Sequence, residues 1–174
     1  MAIYLFFLYR KASRGNDSKL DIVSTTDMHE YLHNYYKHSK MDKLRGKVNF
    51  FQLSNGEQYN QGDLSISAFK VNHCQNYACN GYIIEFGNKT IGASGDTKFC
   101  DGIISAIPQA QIWIIDCSRE KSCANSRHMS LQDVQSLAKQ YPDKIFYGVH
   151  RKDWDAKPTT PNLILPNDGE SFSL

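Results

Sequence analysis

Two continuous apolar runs, "QIWIID" (111–116) and "KIFYGV" (144–149), bracket a stretch of helical periodicity, "SLQDVQSLAKQY" (130–141). No other feature of the chain narrows its choice of fold as far. Apolar runs of this length without polar alternation predict strands buried on both faces, as in parallel sheets. The stretch between them puts Leu131, Val134, Leu137 and Ala138 on one helical face, with Ser130 and Asp133 at capping-box spacing. Strand, helix and strand in that order make a parallel βαβ unit.

Upstream the pattern changes. Residues 20–24, 48–53 and 64–71 read as strands, the last after a turn at Gly62-Asp63. Residues 81–86 and 90–93 flank "GNK", a hairpin signal. A helix is expected from Asp27, with Glu30 at the capping-box position and Met28, Tyr31, Leu32 and Tyr35 forming an apolar stripe. A shorter one spans 101–107, closed by Pro108. Hairpins followed by alternating strands and helices predict a layered α/β (α+β) protein with mixed sheets, a single domain over 1–174.

Composition excludes several classes. With 41% hydrophobic and 22% charged residues the chain is neither disordered nor a membrane protein. The apolar run Ile3–Leu8 is far short of the roughly 20 residues that span a bilayer. It also lacks the preceding charge of a secretory signal, so it reads as a core segment. A net charge of +2 does not indicate nucleic acid, and the basic stretch Lys37–Lys47 reads as a solvated helix end and loop. Five irregularly spaced cysteines without a CxxC pair suggest neither a disulfide framework nor a cysteine metal site, and point to a reducing, cytoplasmic setting.

The chemistry collects where strands end. The strand 64–71 runs into His73, and 90–93 runs into "SGDT" with Asp96. "QIWIID" closes on Asp116 and "KIFYGVH" on His150, while His128 precedes the helix at 130. Layered α/β proteins bind ligands beyond the carboxyl ends of their strands. Imidazole and carboxylate are the donors of hydrolytic zinc or manganese centres.

The segments "KVNH", "NGYIIE", "SGDT", "IIDCS", "RHMSLQD" and "GVH", in this order, resemble the metallo-β-lactamase superfamily, in particular its phosphodiesterase-like branch that includes ribonuclease Z. The resemblance runs from about Ile3 to the C-terminus, where "LPNDGESFSL" looks like the family's last strand. It implies an αββα sandwich with a dinuclear zinc or manganese site at one sheet edge. By the resemblance, His73, Asp96 and His150 are metal ligands, Asp96 bridging. His128 assists near the scissile phosphate, and Asp116 supports its loop. The implied reaction is metal-assisted hydrolysis.

The family's HxHxDH motif is absent from the sequence. The expectation is therefore an incomplete sandwich lacking the family's N-terminal third. It would hold at most one weakly bound ion and be inactive or impaired alone. Its uncovered sheet would pair with a second copy in a dimer, or with a chain that supplies the missing half. The alternative is a catalytically deficient remnant or interaction module.

A third reading comes from "HEYLH" (29–33), which matches the HExxH of zinc proteases. The extended form of that motif needs Gly at position 36 and His at 39, where the chain has Tyr36 and Ser39. His29 and His33 read instead as the exposed flank of a helix.

Overall fold

The computed structural model describes residues 20–25, 27, 28, 30, 31, 34, 48–151 and 154–172. The chain divides into two compact units, Met1–Leu53 and Ser54–Leu174.

In the first unit β1 (Leu20–Ser24) and β2 (Val48–Gln52) pair in parallel, Leu20 opposite Val48 and Ser24 opposite Gln52. The Asn49 amide donates to Asp21 across the pair at 2.8 Å. A parallel pair needs a long crossover, and Asp27, Met28, Glu30, Tyr31 and Asn34 within it are helical. The helix is present where expected, but its cap differs from the expected Asp27. The hydroxyl of Thr25 accepts from the Met28 N–H at 3.4 Å, and Asp27 is already helical. Thr25, three residues before Met28, has the N-cap spacing. His29 and His33 lie outside the described residues, as do the run Ile3–Leu8 and the basic stretch 37–47.

The second unit carries a seven-stranded sheet among the described residues. Its first four strands are antiparallel: β3 (Gln58–Gln61), β4 (Leu64–Lys70), β5 (Asn80–Phe86) and β6 (Lys89–Ala93). The two-residue loop Gly62-Asp63 joins β3 to β4, and Gly62 takes the positive φ of 57° that such hairpin turns demand. From β6 onward the pairing is parallel, through β7 (Ile112–Asp116), β8 (Ile145–Val149) and β9 (Leu163–Ile164). Helix α1 (Asp101–Ala106), continued by a 3₁₀ turn at Ile107–Gln109, links β6 to β7. Helix α2 (Leu131–Gln140) links β7 to β8. The mixed sheet and the helical crossovers are those the sequence predicts.

The two faces of this sheet differ. Trp113, Ile115 and Phe146 are fully buried with Ile103, Ile107, Val134 and Leu137 of the helical segments in one core. Gly92 on β6 makes room for Trp113: a Cβ there would stand 2.6 Å from the indole ring. The helix α2 is fixed as its sequence predicts. Ser130 accepts from the Asp133 N–H, Asp133 accepts from the Ser130 N–H, and Leu131, Val134, Leu137 and Ala138 are buried. On the opposite face Ile114 is 43% and Ile145 40% exposed. The apolar runs of β7 and β8 are therefore not buried on both faces, because α1 and α2 pack on one side only.

Two further differences have simple causes. Strand β3, "QYNQ", buries only Tyr59 and offers no apolar run to read. The last strand is Leu163–Ile164, not "LPNDGESFSL". Pro166 has no N–H to donate, and the Glu170 N–H turns back to the Asn167 carbonyl with Gly169 at φ 85°.

The two faces predict opposite sensitivities for neighbouring residues. Phe146→Ala should lose about 3–5 kcal/mol through the cavity it leaves. Ile145→Ser should cost less than about 1 kcal/mol. Urea denaturation of the two variants tests this, and equal losses would contradict the one-sided core.

Candidate metal centre

Three parallel-strand ends meet at one point. Asp96 follows β6, Asp116 ends β7, and His150 follows β8. The loop from β7 to α2 brings His128 back to them. This loop is closed at its neck: the Leu131 N–H donates to the Arg119 carbonyl at 2.7 Å, and Met129 is fully buried beside His128. One donor atom from each of Asp96, Asp116, His128 and His150 lies within 4.8 Å of every other.

Asp116 is the hub of the group. It is 1% exposed. One carboxylate oxygen accepts from the Thr97 N–H at 2.9 Å and faces His128 Nδ1 at 2.8 Å. The other accepts from the Ser118 N–H at 3.0 Å and lies 3.8 Å from His150 Nδ1. Its own N–H donates to the Ser94 hydroxyl at 2.9 Å. Burial raises the Asp116 carboxyl above its ordinary range, opposed by the bonds from Thr97 and His128. The adjoining Cys117 thiol is pushed up to about 12 by burial and by the Asp116 charge, which excludes it as a thiolate nucleophile.

Asp96 and His150 are the accessible pair. His150 Nδ1 stands 3.3 Å from an Asp96 oxygen, and both side chains are about half exposed, at 46% and 51%. His150 is held at φ 61°, the one positive φ of a non-glycine residue among those described. That conformation is uncommon for a side-chain-bearing residue. His73 stands next to the group rather than in it. Its Nδ1 lies 3.1 Å from the Arg127 carbonyl, and its ring packs edge-on to His128 at 4.8 Å. His128 packs on His150 in the same way at 4.9 Å.

All five residues picked out from the sequence thus lie in one neighbourhood. By the resemblance the ligands are His73, Asp96 and His150, with Asp116 and His128 in support; the four residues whose donor atoms lie within 4.8 Å of one another are Asp96, Asp116, His128 and His150. The residues the sequence reading passed over are Ser94, Thr97 and Ser118, which hold Asp116. The only trace of them is the small hydroxyl residue near each Asp in "SGDT" and "DCS".

Two imidazoles and two carboxylates suit a divalent ion of the zinc or manganese kind. The 3.3 and 3.8 Å donor separations at His150 are close to those of ligands sharing one ion with bonds of about 2.1 Å. The contact between His128 and Asp116 is a hydrogen bond that orients the ring, the arrangement common behind metal-bound histidines.

Comparison with known proteins agrees with this architecture. The sequence profile of the Beta-lactamase superfamily domain matches residues 7–151. No curated protein matches the chain. Among solved structures, the fold is similar to that of the metallo-beta-lactamase fold protein YhfI from Bacillus subtilis, with a TM-score of 0.64, 17% identity, and coverage of 87% of this chain and 59% of that one. It is similar to a diphosphatase from the PhnP family, with a TM-score of 0.66, 18% identity, and coverage of 88% and 57%. Human tRNase Z, short form, shows the same fold, with a TM-score of 0.58, 12% identity, and coverage of 78% and 61%. The chain therefore spans less than two thirds of the length of each of these three.

Replacing Asp116 tests the hub. Asp116→Asn supplies one acceptor oxygen where the carboxylate serves Thr97, Ser118 and His128, and should cost about 1–3 kcal/mol at pH 7. The sign of its pH dependence follows from the raised carboxyl. The ionised form is penalised in the fold at neutral pH, and that penalty fades as pH falls through the raised value toward the unfolded one. The wild-type chain should thus gain on Asp116→Asn as pH falls from about 7 toward 4. Denaturant midpoints showing a shrinking gap would contradict the assignment.

Proposed function

The chain belongs to the beta-lactamase superfamily, and on that premise we propose that it is a metal-dependent hydrolase of the phosphodiesterase kind, its ion held by Asp96, Asp116, His128 and His150. The observation that carries this reading is the convergence of those four donors within 4.8 Å beyond the ends of three parallel strands. When bound, a zinc or manganese ion supplies Lewis acidity and brings the pKa of a bound water toward neutrality.

The residues of the chain contribute position. Asp116 fixes the His128 ring through Nδ1, which leaves the Nε2 lone pair as the one that would face the ion. The Thr97 and Ser118 N–H groups keep Asp116 in place. Asp96 and His150, half exposed, form the open side from which substrate enters. His73 lines the other flank of His128.

The described donors suffice for one ion, not the family's two. We therefore propose that this 174-residue chain hydrolyses phosphodiesters slowly or not at all by itself. The "HEYLH" histidines are assigned no part in this centre.

Calorimetric titration with zinc and with manganese should show one ion per chain, with affinity reduced at least about tenfold in Asp96→Ala and in His150→Ala. The double variant His29→Ala/His33→Ala should keep the ion and remain within about 0.5 kcal/mol of wild-type stability. Two tight sites together with phosphodiester turnover that Asp96→Ala abolishes would refute the single-ion reading. Loss of the ion in the His29/His33 variant would revive the protease reading.

A further inference from the structure

The loop between β7 and His128 is exposed with one exception. Positions 119–125 and 127 face solvent, whereas Ser126 is 7% exposed. The Ser126 N–H donates to the Cys123 carbonyl at 2.9 Å. Its hydroxyl serves the residue two places on. It accepts from the His128 N–H at 3.0 Å and donates to the His128 carbonyl at 2.7 Å. The His128 backbone is thereby held on both sides of its Cα, the point from which the imidazole is aimed.

The His128 N–H belongs to the same peptide unit as the Arg127 carbonyl. That carbonyl is the partner of His73 Nδ1, at 3.1 Å. A carbonyl can only accept, so His73 carries its proton on Nδ1 and keeps a lone pair on Nε2. The peptide unit is planar and turns as one body. Any rotation that takes the N–H away from Ser126 therefore takes the carbonyl away from His73. The two rings meet edge-on with centroids 4.8 Å apart, and His128 Nδ1 stands 2.8 Å from Asp116. One buried hydroxyl thus bears on two imidazoles. It reaches His128 through that residue's own backbone and His73 through the Arg127 carbonyl.

We propose that Ser126 is a positioning residue of the metal centre, its hydroxyl holding the Arg127–His128 peptide and through it setting both the His128 and the His73 rings. The proposal rests on the metal-hydrolase reading for what the rings are positioned to do. Ser126 acts through the backbone and is not itself a donor to the ion. Groups that orient metal-binding histidines matter to affinity nearly as much as the ligands do.

The test begins with nitrogen NMR of the full, metal-free chain at about pH 8, above the ordinary imidazole range, which reports the ring nitrogen that carries the proton. The wild-type chain should show His73 in its Nδ1–H form. Ser126→Ala should lose that preference, and Ser126→Thr, which keeps a hydroxyl, should retain it. Ser136→Ala removes an exposed hydroxyl of α2 that donates to the Gln132 carbonyl, and should change nothing. Calorimetric titration with zinc should show binding about tenfold weaker in Ser126→Ala and wild-type binding in the other two variants. The Nδ1–H form of His73 kept in a folded Ser126→Ala chain would overturn the proposal. Amide hydrogen exchange puts the same question to the unmodified chain, should Ser126→Ala not fold. The His128 N–H should exchange at least about tenfold more slowly than in an unstructured peptide, and exchange at the unstructured rate would overturn the proposal as well. The two readings fail separately. A wild-type chain that binds no zinc but shows the Ser126-dependent His73 tautomer refutes the metal centre and supports the hold of Ser126 on the rings. Zinc bound equally tightly by the wild-type and Ser126→Ala chains refutes the positioning role alone.

Discussion

The buried carboxylate of Asp116 is the interaction on which the site depends. It lies at the end of a central strand, out of water, where an ionised group is stable only if its lone pairs are filled. Three of its roughly four sites are taken by the N–H of Thr97, the N–H of Ser118 and the imidazole of His128. Each donor belongs to a different stretch of chain: the loop after β6, the start of the loop after β7, and the end of that loop. One desolvated group thus ties together the segments that carry Asp96 and His128, and it stands 3.8 Å from His150. The cost of burying it is offset only when all three are in place, which makes the local geometry cooperative.

The sheet supplies the frame for that knot. Its antiparallel half carries two-residue hairpins between β3 and β4 and between β5 and β6, and in its parallel half the helices α1 and α2 return β7 and β8 in the direction of β6. Parallel β6, β7 and β8 put their carboxyl ends side by side, about 5 Å apart. Asp96, Asp116 and His150 are close in space for this reason, although they are distant in sequence. The capping box of α2 then holds the returning end of the His128 loop, with Met129 buried as its anchor.

The same strands give the sheet two unlike faces. Alternation along β8 sends Phe146 into the helical core and leaves Ile145 40% exposed. The helix-bearing face provides the packing that stabilises the unit. On the other face Ile114 is exposed and the segment after β9 lays Phe172 on Tyr147.

Much of this was legible in the residues. The period-3.6 pattern and Ser130/Asp133 spacing determine α2, the apolar runs determine β7 and β8, and glycine-bearing turns determine the hairpins, because each rests on contacts between near neighbours in the chain. The positions of Asp96, Asp116, His128 and His150 at element ends were equally visible. Their distances were not. His73 stands beside the other four because of loop paths that hydrogen bonds between distant segments impose, such as His73 to the Arg127 carbonyl. Nor does a continuous apolar run reveal how many of its faces are covered. Ile114 and Trp113 are adjacent and both apolar, yet one is 43% exposed and the other fully buried. That difference arises from which layers pack on the sheet, a property of the assembled tertiary structure and not of any local stretch of sequence.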